Sequence, residues 1–188
     1  MPPTIENYQF RLAHLVIDPA TLRNQGAPGV AEAARKFLVR LDLRRFVTDD
    51  ETTFARELNL QTDLLKESLP KGAQHWGTAR KAINLLLGEA YYHRFLCNTY
   101  GLQKIESYLE IPLDGQVGDF LTRKAREAGD APFPRWPSIK HLTQPISDRY
   151  QSFAADFARG MGNGWARIHL DVIIWQRSES LPNVSTSG

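Results

Sequence analysis

The chain has 188 residues and a formal net charge of +2; 42% of its residues are hydrophobic and 23% are charged. This balance is typical of a folded domain with a sizeable core, and it is compatible with a nucleic-acid partner without requiring one. Cys97 is the sole cysteine, which excludes an intrachain disulfide and any zinc or iron–sulfur centre built on cysteines. Without a signal-peptide pattern or an apolar run of about 18 residues, we expect a cytoplasmic protein with no membrane partner.

The first third of the chain contains one strand candidate and one amphipathic helix. The apolar run at residues 12–17 is the strand candidate. Apolar side chains recur at helical spacing from Val30 to Leu41 and predict a helix over residues 29–46. The opposite side of that helix is a solvated face or, alternatively, a phosphate-contacting edge, because it carries basic residues at steps of four: Lys36, Arg40 and Arg44.

The rest of the chain has helical periodicity, so the predicted fold class is all-α. A loop rich in proline and aromatic residues interrupts the pattern at residues 132–137. We expect a single helical domain over residues 1–177, or two small lobes, followed by a flexible tail at 178–188. The predicted helices cover residues 62–68, 76–100, 102–108, 115–127, 147–159 and 164–176.

Two charged residues stand out in apolar surroundings. Lys81 lies in a predicted helix that is apolar nearly all round, and Asp114 opens another helix 33 positions later. Desolvation favours a neutral amine, which is a nucleophile, and a carboxylate facing it would stabilise developing positive charge. The plain alternatives are a lysine whose head reaches water and an aspartate that only caps its helix.

The turn before the Lys81 helix contains two glycines, Gly72 and Gly77, within residues 69–77. Glycine permits positive φ, and free amides at the start of a helix can bind a phosphate. Many helix–helix turns contain glycine, so the pattern is informative only beside the residues that follow it.

Those residues resemble a known family. Residues 77–87 (GTARKAINLLL) and 111–117 (IPLDGQV) are similar to the centre of the helix-hairpin-helix DNA glycosylases, and the likeness covers about residues 69–125. It implies a helical fold with the active site between two lobes, in which Lys81 is the lysine nucleophile of the bifunctional members and Asp114 the catalytic aspartate. The long Lys–Asp separation is most similar to archaeal 8-oxoguanine DNA glycosylases. The usual hairpin glycine pattern and the four cysteines of the iron–sulfur members are absent.

The resemblance also implies a pocket for an extruded base and contacts to the DNA backbone. Asp171 and Trp175, one helical turn apart, would bind the base, unless Trp175 belongs to the core and Asp171 to the surface. Further expected pocket or wedge residues are Trp76 and Trp136. The expected backbone contacts are Lys71, Gly72, Gly77 and Arg80.

The function that follows is excision of a modified base from double-stranded DNA by a nucleoid-associated monomer without metal or organic cofactor. The base is either an oxidised purine such as 8-oxoguanine, in repair, or a hypermodified cytosine of phage DNA, in defence. Lys81 would add strand-nicking lyase activity; otherwise water is the nucleophile. Two alternatives remain: a non-catalytic DNA-binding module of the same fold, and a helical interaction protein without a nucleic-acid role.

Overall fold

The computed structural model describes residues 3–18, 20–130 and 132–178, and within these ranges the chain forms helices and no strands. None of the helices in this part of the chain is long and apolar enough to cross a membrane. The predicted flexible tail lies almost wholly outside the described residues. The α-helices are α1 (Ile5–Val16), α2 (Val30–Arg40), α3 (Glu51–Ser68), α4 (Trp76–Tyr92), α5 (Arg94–Tyr100), α6 (Gly115–Glu127), α7 (Gln144–Gly160) and α8 (Leu170–Ser178). Short 3₁₀ turns cover Leu43–Phe46, Leu102–Tyr108, Ile139–His141 and Arg167–His169.

The all-α prediction is confirmed, but several element boundaries are corrected. The strand candidate at 12–17 lies at the end of α1, which begins at a capping box formed by Thr4 and Asn7. The helix predicted over 29–46 stops at Arg40, because the Asp42 side chain accepts a hydrogen bond from the Arg44 amide and starts a separate 3₁₀ turn. The helix predicted over 76–100 is divided at His93, whose side chain caps α5. Helix α3 starts at Glu51, eleven residues before the predicted start.

Among the described residues, the larger hydrophobic core is built mainly from α1 to α5. Fully buried side chains of α3 and α4, among them Leu58, Leu65, Ile83 and Leu86, pack against Ala34 and Leu38 of α2. Burial of such side chains is the main term that stabilises a helical lobe. Helix α4 is central to this lobe, since α1, α2, α3 and α5 all contact it.

The smaller core joins α6, α7 and α8 and is rich in aromatic residues. Tyr150 is completely buried, and Phe133 and Trp136 meet its ring edge to face at 4.8 and 5.6 Å between centroids. The Pro- and aromatic-rich loop at 132–137 thus covers α6 and α7. Trp136, predicted as a wall of the base pocket, packs its ring against Gly118 of α6 at this core, and its role in base binding stays a prediction.

We expect a side chain at position 118 to lower the stability of the protein, because Gly118 contacts the Trp136 ring. A Cβ on residue 118 would overlap the Trp136 ring, so Gly118→Ala should lower the free energy of unfolding by about 1–3 kcal/mol through overpacking. The matched variant Gly160→Ala, at a helical position with open space around it, should be neutral or stabilising by up to about 1 kcal/mol. Urea denaturation of both variants measures the difference, and equal effects would contradict this packing.

Candidate active site

A cavity of about 500 Å³ lies between the two cores. One wall comes from the first lobe, with residues of segment 18–25 and Lys81 and Leu85 of α4. The other wall comes from the start of α6, with Pro112 and Asp114, and from Asp171 of α8. Its volume is within the range that a ligand-sized pocket occupies in proteins. The cavity therefore joins both lobes and both of the charged residues singled out in the sequence.

Lys81 and Asp114 form an ion pair at this cavity. The Lys81 Nζ atom lies 3.2 Å from Asp114 Oδ2, and the two side chains are 12% and 21% exposed. The other carboxylate oxygen, Oδ1, accepts a hydrogen bond from the Val117 amide at 3.1 Å, so Asp114 also caps α6. The cap fixes the carboxylate and leaves one oxygen for Lys81. The ammonium group therefore faces a carboxylate across the two lobes, not open solvent.

The segment that carries Asp114 is held from both sides although it is neither helix nor strand. The Gln151 side chain of α7 accepts a hydrogen bond from the Ile111 amide at 3.1 Å and donates one to the Ile111 carbonyl at 2.8 Å. Arg167 donates to the carbonyl oxygens of Leu109 and Tyr108 at 3.0 and 2.6 Å. These contacts satisfy the buried backbone polar groups of the segment and fix the position of Asp114.

Arg80 has a structural position that differs from the predicted one. It is 3% exposed, and its guanidinium donates hydrogen bonds to Thr62 and Asn59 and lies 3.3 Å from the carboxylate of Glu110. Desolvation lowers the pKa of the Arg80 guanidinium, and the charge of Glu110 opposes this shift. The predicted contact of Arg80 with a DNA phosphate stays a prediction; in this structure the side chain is buried, with its Nη atoms bonded to Thr62 and Asn59.

The buried Arg80–Glu110 pair leads to a prediction about stability. Glu110→Gln removes the charge that compensates Arg80, and we expect a loss of about 3–5 kcal/mol in the free energy of unfolding. The control Glu127→Gln breaks an exposed pair with Lys124 and should change stability little. Urea denaturation of both variants is the measurement. If Glu110→Gln changes the free energy of unfolding only slightly, Glu110 is not the group that compensates the charge of Arg80.

The turn between α3 and α4 carries the other predicted backbone contacts. Lys71 and Gly72 are exposed, and Gly72 has a φ of +87°, which favours glycine. The turn rests on the preceding loop, since a Cβ on Gly26 would overlap the Gly72 carbonyl and His75 Nε2 lies 3.1 Å from the Gln25 carbonyl oxygen. Lys71 and Gly72 are thus open to a partner.

Gly77, predicted to contact DNA, is buried where the start of α4 meets the turn Ile139–His141, and its DNA contact stays a prediction. A Cβ there would overlap the Ile139 carbonyl oxygen and come within 2.7 Å of the Leu142 side chain. The glycine is required because the start of α4 passes close to the 3₁₀ turn Ile139–His141. Its function in the structure is packing between the lobes.

The predicted base-binding residues have three different outcomes. Asp171 lines the cavity together with Lys81 and Asp114, as the prediction required. Trp76 does not line it; its ring packs on the second core and lies 4.7 Å from the Arg80 guanidinium carbon. Trp136 belongs to the second core, as described above. The Trp175 side chain lies outside the described part of the structure.

The sequence did not indicate the part of the cavity wall that comes from Asp18 and from residues 20–25. Arg23 and Thr21 line the cavity, and the buried Gln25 accepts a hydrogen bond from Thr78 at 2.6 Å, which anchors the segment to α4. Asp18 accepts hydrogen bonds from the amide and hydroxyl of Thr21 and shapes the turn. No periodicity or motif marks these residues, so only the fold reveals them.

Comparisons of the chain with protein-family models, curated proteins and solved structures found no match. Within the described residues, no group of three or more histidine, cysteine, aspartate or glutamate side chains is arranged to hold a metal ion. The chemical groups of the candidate site are the Lys81 amine and the Asp114 carboxylate at the cavity between the cores.

Proposed function

We propose that this protein is a DNA glycosylase of the helix-hairpin-helix type, which rotates a modified nucleotide out of duplex DNA and cleaves its N-glycosidic bond. The observation that carries the proposal is the Lys81–Asp114 ion pair, 3.2 Å long, at a cavity between two helical lobes. The exposed turn with Lys71 and Gly72 before α4 supports it, because a turn of this kind is suited to a DNA phosphate. No membrane or cofactor enters the proposal.

The reaction would use Asp114 as the electrostatic and acid–base group. As the bond between C1′ and the base breaks, positive charge develops on the deoxyribose, and the Asp114 carboxylate stabilises it. The departing base takes up the proton that Asp114 has accepted from the nucleophile, Lys81 or water, and this transfer restores the carboxylate. Because Asp114 is capped on α6, the carboxylate keeps its position while the substrate changes. This group is required whichever nucleophile completes the reaction.

Lys81 is the proposed nucleophile of a bifunctional enzyme. Its ammonium must first lose a proton, and Asp114 Oδ2 is an acceptor at hydrogen-bond distance. The amine then attacks C1′ as the base leaves, and opening of the sugar ring gives a Schiff base. β-Elimination breaks the C3′–O3′ bond and nicks the strand. If Lys81 only contacts the substrate, water attacks C1′ and an abasic site is the product.

Two substrate classes fit the proposal equally. An oxidised purine such as 8-oxoguanine would make the protein a repair enzyme, and a hypermodified cytosine of phage DNA would make it a defence enzyme. Asp171 lines the cavity, and in this proposal its carboxylate would accept hydrogen bonds from N–H groups of either base.

Mass spectrometry of free bases released from a panel of DNA tests the proposal. The panel holds oxidised, deaminated, alkylated and phage-modified DNA, incubated with the purified protein and, separately, with its Asp114→Asn variant. A base released by the wild-type protein and not by the variant is the expected result, and it identifies the substrate. No release across the panel, with duplex binding retained, would support the non-catalytic module of the same fold instead.

A further inference from the structure

A second cavity lies apart from the candidate active site. It is a groove of about 700 Å³ between α2 and α3, near the 3₁₀ turn Leu43–Phe46. Its lining includes Ala33 and Phe37 of α2 and Ser68 at the end of α3, together with Lys36 and Arg40. The proposed chemistry at Lys81 does not use this groove, so its lining needs a separate explanation.

Two cations of the groove are available to a ligand. Lys36 and Arg40 are exposed one turn apart on α2, and neither forms an ion pair with a described residue. Arg45 and Asp42, which also line the groove, are engaged with Glu57 and Arg44. Of the lining charges not held in an ion pair, two are therefore positive, while Glu32 is negative.

Residues 25–29 lie between the groove and the candidate active site and contact the turn before α4. Gln25 lines the active-site cavity, Gly26 packs under the turn at Gly72, and Gly29 lines the groove. Gly29 follows Gln25 by four positions, so the Cα atoms of these two lining residues are at most about 14 Å apart. Arg23 at the first cavity and Lys71 on the turn are also exposed and form no ion pair with described residues.

We infer that Arg23, Lys71, Lys36 and Arg40 form a basic track that binds the backbone of the DNA strand flanking the extruded nucleotide, and that the groove between α2 and α3 is its far end. The inference rests on the proposed function. A duplex turn is about 34 Å long, so a strand that leaves the active-site cavity across the turn reaches the groove within one helical turn. Lysine and arginine without carboxylate partners are the groups that neutralise phosphates and release counterions.

The salt dependence of DNA binding tests this track. The probe is a duplex with one tetrahydrofuran abasic-site analogue, and the variant is the double substitution Lys36→Gln/Arg40→Gln, whose exposed positions leave the core intact. Loss of two phosphate contacts should reduce the slope of log K against log salt by about 1.8. Between about 50 and about 200 mM salt, the wild-type affinity should therefore fall about tenfold more than that of the variant.

A matched control variant removes the same amount of charge far from the track. The turn at Gly72 precedes the N-terminus of α4, and the control positions follow its C-terminus. Arg94→Gln/Lys104→Gln removes two exposed cations from α5 and the following 3₁₀ turn, beyond the C-terminus of α4, and should keep the wild-type slope. Helix α4 has 17 residues and is about 25 Å long, which separates these positions from the turn at Gly72. Equal slopes for the wild type and the groove variant would overturn the track and leave the proposed function standing.

The length of the flanking duplex gives a second measurement. Shortening one flank from about 20 to about 3 base pairs should weaken binding by the wild-type protein but not by the groove variant, and only for one of the two flanks. Absence of salt-dependent binding to any duplex would overturn both the track and the proposed function. A thermal shift with inorganic phosphate that the groove variant abolishes, with an unchanged DNA slope, would identify a small-anion site in place of the track.

Discussion

Base release should fall at least about a hundredfold in the Asp114→Asn variant, while affinity for duplex DNA stays near that of the wild type. Asparagine is as good a helix N-cap as aspartate, so α6 should keep its start and its bond to the Val117 amide. The substitution removes the negative charge facing Lys81 and the developing sugar cation. Single-turnover base release and equilibrium binding to an abasic-analogue duplex measure the two effects.

Asp50 provides a matched control for this substitution. Its carboxylate caps α3 by accepting a hydrogen bond from the Thr53 amide at 2.7 Å, which is the same local geometry at another helix. Asp50→Asn should leave base release unchanged. Equal loss in both variants would mean that Asp114 acts through the fold and not on the reaction.

Covalent trapping should disappear completely when Lys81 is replaced. Borohydride reduces a Schiff base to a stable amine, so the wild-type protein should be captured on DNA as a covalent adduct. Lys81→Gln and Lys81→Arg both lack the amine that forms the imine, but arginine keeps a cation next to Asp114. Gel electrophoresis of the trapped complex measures the adduct.

The Lys81→Arg variant distinguishes two roles of Lys81: nucleophile in the reaction, or only the cation that pairs with Asp114. If Lys81 only balances the charge of Asp114, the Lys81→Arg variant should keep base release and any adduct at the wild-type level. Lys104→Gln, at an exposed position beyond α4, is the control and should trap normally. Base release by the wild-type protein without an adduct would assign the water pathway and leave Asp114 as the essential group.

The sequence predicted some elements because their signals are local. Helix α6 has the predicted bounds, since an aspartate cap and an amphipathic pattern both lie within its own residues. The strand assigned to residues 12–17 failed because a short apolar run does not distinguish strand from helix, and the deciding cap at Thr4 lies eight residues earlier. The break at His93 has neither proline nor glycine and depends on a histidine cap.

For the candidate site too, the sequence predicted residues with a local signal and missed positions that depend on contacts distant in sequence. Lys81 and Asp114 were singled out from the sequence, and their side chains meet in the structure; their catalytic roles remain predictions. Trp76 and Trp136 were assigned to the pocket as aromatic residues without a spacing argument, whereas the position of Trp136 depends on the absence of a side chain at Gly118. Arg80 and Gly77 are close in sequence to Lys81 and to the exposed turn at Gly72. Both are nevertheless buried, because they contact residues that are 18 to 65 positions away along the chain.

The two hydrogen bonds between the Gln151 side chain and the Ile111 backbone should slow hydrogen exchange in this segment. In most proteins, irregular segments exchange their amide hydrogens quickly, because opening a few exposed hydrogen bonds requires little free energy. The Ile111 amide is bonded to a buried carboxamide that also binds the carbonyl of the same residue, in the manner of a neighbouring strand. Its deuterium uptake should therefore be as slow as that of amides in the middle of α4, so that the segment leading to Asp114 is rigid without regular secondary structure.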